Sequence, residues 1–318
     1  MTMNSEVSSF ELYCRKFSTE QACIDALFEA RWPDGYRCPA CKHPHCYVIR
    51  TRRLPLYECR SCGLQTSPIA GTIFEGSRTP LTLWFQAIFL LTQPTGISAI
   101  RLSQIIQVTY KTAWLIAHKI RHAMQHADAE QLLAGLVRID RTHYGYSMFG
   151  DAKQPLIIGG SLDEYNQLAH VKIKQPEPSH VDNDTRWIQE RGVQAFMQKH
   201  LNKQALPVFA QSGLRHPDLN QIRREMTFWL NETFHGIGPK HLQAYLDEFC
   251  FRWNWINRRR SLLHSLLNWC ASTPTIIYKD LVRSKPVLPV PWVIWGSKAK
   301  WKGRHLSLWN ECRSRSAK

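Results

Sequence analysis

Acids are scarce in this chain. Asp and Glu number 25 against 41 Lys and Arg, a formal net charge of +16 at 318 residues. So large a surplus does not fix a fold, but it selects partners. It suits a polyanion such as nucleic acid, whose phosphates reward clustered cations by counterion release; a merely soluble basic protein is the alternative. Long apolar runs are also missing. None reaches the roughly 18 residues that a membrane span requires, and the longest, from Leu83 to Leu91, is interrupted by Gln86. No membrane partner is expected. The first residues, MTMNSEVSSFELY, contain no basic region followed by an apolar core, so secretion is not expected and a cytoplasmic, nucleoid-associated location is. Apolar content is not low: 44% hydrophobic residues with 12 Trp exclude a disordered chain.

Cysteine is not scarce either. Ten Cys in a chain without a secretory segment point to a reducing compartment, with metal sites or buried thiols. Four of them have a specific spacing. Cys38-Pro39-Ala40-Cys41 and Cys59-Arg60-Ser61-Cys62 are two Cys-x-x-Cys turns separated by 17 residues. Such a pair sets four thiolates at the corners of a tetrahedron, the closed site that structural Zn²⁺ prefers; a redox pair or disulfides are the alternatives. The intervening Tyr47–Arg50 and Leu54–Glu58 alternate like a hairpin, so the segment reads as a zinc ribbon. His43, His45 and Cys46 lie beside the first turn and read as bystanders. Arg50, Arg52 and Arg53 suit phosphate contact or a solvated face equally.

Helical periodicity follows at Leu83–Leu91, Ile97–Ile106 and Thr109–Met124. The last two, joined by a short turn, read as a helix-turn-helix, with an ordinary helical hairpin as the alternative. In the first case Tyr110, Lys111 and Thr112 face double-stranded DNA, Trp114, Ile116 and Ile120 pack inward, and His118, Lys119, Arg121, His122 and His126 extend the basic side. From Leu136 the period changes to that of strands: Val137–Ile139, Pro155–Leu162 and Gln167–Lys174, then a helix to Leu201 and a strand at Leu206–Ala210. Strands, then helix, strand and helices indicate a mixed α/β layer. The first strand delivers one acid, Asp140, just before a turn containing Gly145. Residues 240–270 read as a helical region with its aromatics in the core, and Arg258, Arg259 and Arg260 as a phosphate contact or a solvated helix end.

Several stretches resemble bacterial insertion-sequence transposases that combine a zinc ribbon, a helix-turn-helix and an RNase H-like DDE domain. They are Arg31-Trp32-Pro33-Asp34-Gly35 running into Cys38, Gly96-Ile97-Ser98-Ala99-Ile100, Tyr110-Lys111-Thr112-Ala113-Trp114, and Gly238 to Asn254. The resemblance covers roughly residues 17–257. It implies a DNA strand transferase acting on terminal inverted repeats, a possible homodimer, and three acids holding two Mg²⁺ about 3.5–4 Å apart. Asp140-Arg141-Thr142-His143 matches the first acid's motif Asp-Glu-Thr-Tyr, with Arg141 replacing Glu. The second acid is expected in Gln211-Ser212-Gly213, at Ser212, and the third, counted back from Lys240, at Asn220. Neither side chain carries the charge that Mg²⁺ requires. Arg141 beside Asp140 opposes a cation and suits pairing with the lone acid. Asp218 and Glu225 replace the third acid only if the helix register shifts.

The expectation is therefore a multidomain α/β protein: N-terminal helices and zinc ribbon at 1–66, helix-turn-helix domain at 67–130, RNase H-like domain at 131–278, and a basic, Trp-rich tail at 279–318. The tail suits nucleic-acid contact or docking on its own domain. The expected function is a transposase-family DNA-binding protein with impaired DDE chemistry, the alternative being an active Mg-dependent transposase.

Overall fold

A computed structural model describes residues 3–145, 152–182, 185–210, 214–257, 262–283, 287–294 and 300–302. Ser212, Arg258, Arg259, Arg260 and most of the Trp-rich tail lie outside the described residues. The chain divides into two compact units, residues 1–126 with 261–281, and residues 127–260 with 282–318. Among the described residues no helix is long and apolar enough to cross a membrane.

The first unit joins a small sheet to helices. α1 (Met3–Lys16) and α2 (Glu20–Arg31) come first, and Thr19 caps α2 by accepting the Ala22 N–H on its Oγ1 at 3.2 Å. The sheet has order β1-β2-β3, from Cys46–Ile49, Leu56–Cys59 and Gln65–Thr66, all antiparallel. Its inner face rests on Phe28, Trp32, Tyr36 and Tyr57, which form an aromatic plate beneath Cys38 and Cys59. α3 (Leu81–Leu91) is buried almost all round: Trp84, Phe85, Ile88 and Leu91 are each no more than 2% exposed. That all-round burial explains the long apolar run. α4 (Ala99–Ile105) and α5 (Tyr110–Glu130) follow.

The second unit is built on a four-stranded sheet of order β6-β5-β4-β7. β4 (Leu136–Gly145), β5 (Lys153–Leu162) and β6 (Leu168–Lys174) form an antiparallel meander. β7 (Leu206–Phe209) then pairs parallel to the other side of β4, after a crossover through α6 (Glu190–His200). Alternation along β4 sends Val137 and Ile139 to an apolar cluster with Val193 and Phe196 of α6. It sends Tyr144 to the opposite cluster with α7 (Pro217–Phe234) and α8 (Pro239–Asn257). Gly159 and Gly160 of β5 permit both layers to sit close. A Cβ on Gly159 would meet Phe196 at 3.0 Å, and one on Gly160 would meet Leu219 at 3.0 Å.

One arrangement differs from the sequence reading. The helical region at 240–270 is two helices. α8 belongs to the second unit, whereas α9 (Leu262–Ser272) packs in the first against α2 and α3, because Leu266, Leu267, Cys270 and Ala271 give it an apolar face. α10 (Tyr278–Val282) follows it. The described part of the tail docks on its own unit. Leu288 and Val290 join the α6-side cluster, and β8 (Trp292–Ile294) pairs with β9 (Lys300–Lys302). Gly236, at φ +104°, lies so close to β8 that a Cβ there would meet the Val293 carbonyl oxygen at 2.1 Å.

Candidate functional site

The ribbon thiols converge. Each Cys-x-x-Cys forms the same tight turn: the Lys42 N–H donates to the Cys38 carbonyl and the Gly63 N–H to the Cys59 carbonyl. Lys42 and Gly63 both take left-handed backbone at φ +61° and +67°. The four Sγ atoms of Cys38, Cys41, Cys59 and Cys62 lie within 4.8 Å of one another, with Cys38–Cys62 at 3.6 Å and Cys41–Cys59 at 3.5 Å. A tetrahedral site with Zn–S near 2.3 Å requires sulfur separations of about 3.8 Å, so the donor set fits structural zinc. The backbone N–H of Cys41 is the largest influence holding the Cys38 thiol down, at about 6, which favours the thiolate that a metal binds. His43 and His45 meet edge to face, with ring centroids 5.5 Å apart, and are not part of this group.

At the paired helices, Ser98 caps α4 and Thr109 caps α5, its Oγ1 accepting the Thr112 N–H at 3.3 Å. The turn between them passes through Gln107 at φ +54°. Tyr110 is 51% exposed, Lys111 is exposed and Thr112 half-buried, so the first turn of α5 faces outward. Lys119 and Arg121 do not. They are 6% and 1% exposed, because the face of α5 that carries them turns into the core beside Ile116 and Ile120. Lys119 Nζ donates to the carbonyls of Ile73 and Glu75 and to Thr275 Oγ1, all within 3.1 Å, closing the connector that precedes α3. Both residues are corrected from DNA contacts to interior positions, and His118, at 2% exposed, likewise.

At the centre of the second unit Asp140 is 7% exposed on the α7 side of β4. Its Oδ2 accepts the backbone N–H of His216 at 2.9 Å, just before α7 begins, and the His216 ring Nε2 lies 3.2 Å from the Val208 carbonyl of β7. Burial is the largest influence and pushes the Asp140 carboxyl up, opposed by the His216 N–H and the charges of His216 and Arg215. Arg141 does not pair with Asp140. Strand alternation turns it to the opposite face, where it donates to the Ile188 carbonyl, pairs with Glu190 and covers the Trp187 ring. Asn220 lies one turn into α7 with its Oδ1 accepting from Arg223 Nε at 3.1 Å. Asp218 pairs with Arg138, and Glu225 is exposed and accepts from Gln221. Among the described residues no three His, Cys, Asp or Glu side chains converge around Asp140.

Sequence reasoning missed the ion network beside this centre. Lys172 of β6, 0% exposed, donates to the Asp128 carbonyl and carboxylate at the end of α5. Lys174 bridges Asp128 and Asp247 of α8 at 2.6 Å each. Burial pushes Asp128 up, but Lys174 and Lys172 outweigh it and hold it ionised. The only cue in the sequence was two Lys at alternate positions of an apolar strand, where one edge must find acids.

Comparison with known proteins bears on the ribbon and on part of the chain. Residues 18–65 match a family model described as a transposase zinc-ribbon domain. An uncharacterized protein in transposable element ISH50 of Halobacterium salinarum is 30% identical over 166 residues, 51% of this chain. The match spans 54% of that protein, about half its length. No solved structure matches. The ribbon and this relative together support an insertion-sequence transposase family.

Proposed function

We propose that this chain, whose ribbon and relative support an insertion-sequence transposase family, is a double-stranded-DNA-binding protein whose metal-dependent strand-transfer centre is impaired. The ribbon and the exposed start of α5 supply the DNA contacts. Tyr110, Lys111 and Thr112 enter the major groove from the second helix of a helix-turn-helix. The second unit is read as RNase H-like. A central strand flanked by an antiparallel meander on one side and a parallel strand on the other supports that reading, as does the acid on the central strand.

One observation carries the impairment: Asp140 directs its carboxylate to the His216 N–H, beside Arg215 and His216, while the nearby acid Asp218 is held by Arg138. Two Mg²⁺ ions need several anionic oxygens converging from separate elements. The donor set around Asp140 does not fit them. The zinc site does fit its metal, and its part is structural, since four thiolates leave no open position for chemistry.

The alternative is an active transferase in which Asp218 joins Asp140; Asp218 lies near enough for its charge to raise the Asp140 carboxyl, although Arg138 holds it. Terminal repeats as the target, a homodimer and association with the nucleoid are part of the favoured reading. The test is duplex binding by the full chain after selection from a random library. Binding should be sequence-selective, weaken steeply with salt, disappear when zinc is stripped, and persist without Mg²⁺. Unchanged binding by zinc-stripped protein would refute it.

A further inference from the structure

We propose that the outer face of the ribbon sheet reads the DNA duplex: Arg60, braced on Tyr47, contacts a guanine edge in the major groove, and Arg50 and Arg52 hold backbone phosphates. This rests on the DNA-binding reading above and names the ribbon residues that make it sequence-selective.

Strand register divides this sheet into two faces. Tyr57 and Cys59 turn inward to the aromatic plate, and Cys46, directly opposite Cys59, packs against it. Tyr47 and Glu58, the next opposed pair, turn outward, as does Gln65, the partner of Glu58 on β3. Tyr47 is 57% exposed, and Gln65 is exposed. Because β3 is only two residues long, the outer face is in effect that of a two-stranded ribbon, the width that the major groove of B-DNA admits.

Arg60 lies two positions beyond Glu58, diagonal to Tyr47 on the same face, and its guanidinium carbon sits 4.6 Å from the centroid of the Tyr47 ring. A planar fork braced on an aromatic ring loses less freedom on binding, and it presents paired N–H donors in one plane. The base edge with two matching acceptors is that of guanine, at O6 and N7. The charge around the face has one sign. Residues 37–66 carry Arg37, Lys42, Arg50, Arg52, Arg53 and Arg60, all exposed, against a single acid, Glu58. Glu58 is half-buried, and its Oε2 accepts from Gln65 Nε2 at 2.6 Å. Among the described residues the one acid paired with any of these cations is Glu20, 4.0 Å from Arg53. Arg50 and Arg52, just beyond the end of β1, lie on no described ring and suit the sequence-independent contacts to phosphate.

The test compares the full, zinc-loaded chain with Arg60→Gln, Arg60→Lys and Arg50→Gln/Arg52→Gln variants on its selected duplex, all checked for unchanged zinc content and melting. Single-base substitutions through the site should locate a guanine whose replacement weakens wild-type binding about tenfold or more. Arg60→Gln and Arg60→Lys should both lose that discrimination, the lysine although its charge remains. The double variant should keep it, bind every sequence more weakly, and make the log–log salt slope shallower by roughly 1.8. Variants that match the wild type in affinity, slope and base preference would overturn the proposal while leaving the DNA-binding reading standing. So would a uniform loss from Arg60→Gln with base preference intact, which would make Arg60 a phosphate contact. A wild-type chain that binds no duplex would overturn both readings.

Discussion

At the residue scale, two histidines report what burial does inside the second unit. His200 is lowered to about 3 and His143 to about 4, in each case chiefly by desolvation; lysines and arginines nearby add to the shift. Unfolding releases both to titrate near 6.5. Below that pH the unfolded chain therefore binds more protons than the folded one, and stability falls as pH drops from about 6.5 towards 4. The slope per histidine is at most about 1.4 kcal/mol per pH unit, reduced because each ring keeps some solvent contact. Denaturant midpoints measured at successive pH values should decline across this window, and His143→Gln should flatten the decline. A midpoint independent of pH there would contradict the burial of both rings.

Residue identity also set how far the site was legible. The zinc ligands could be read directly, because four cysteines at that spacing have one geometry that satisfies them all. Asp140 could be placed on a central strand for the same kind of reason: a β-branched run delivers it. Its partner could not be read, because His216 contributes a backbone N–H, which leaves no trace in side-chain pattern.

At the element scale, α5 separates two roles that its sequence merges. Tyr110, Lys111 and Thr112 occupy its exposed start, while Lys119 and Arg121 lie inside. The periodicity of α5 was clear, but three buried cationic or imidazole side chains on its inner face obscured which side was the core. Lys111→Ala should weaken DNA binding and reduce the salt slope by about 1 without altering melting. Lys119→Ala should instead lower the melting temperature, since it leaves the Ile73 and Glu75 carbonyls without their donor. Calorimetry and duplex titration on both variants separate the two; a Lys119 variant that melts normally but binds weakly would reverse the assignment.

β6 and α8 hold the second such case. Removing Lys172 leaves Asp128, 4% exposed, with one buried cation fewer, and Lys172→Ala should cost about 3–5 kcal/mol in denaturant unfolding. A loss below about 1 kcal/mol would mean that Lys174 alone compensates Asp128. The split of residues 240–270 into α8 and α9 had no cue comparable to a proline or a cap. Only tertiary packing sends the two helices to different units.

At the scale of the whole molecule, the proposed function, a protein that holds DNA without cutting it, rests on the +16 charge, the transposase-type ribbon and the surroundings of Asp140. The most direct test is to incubate the zinc-loaded chain with its selected duplex, labelled at one end, in Mg²⁺ and then Mn²⁺, beside Asp140→Ala. The account predicts binding with no cleaved or joined product in either metal. Products that form with the wild type and vanish with Asp140→Ala would contradict it, and would restore Asp140 as a metal ligand.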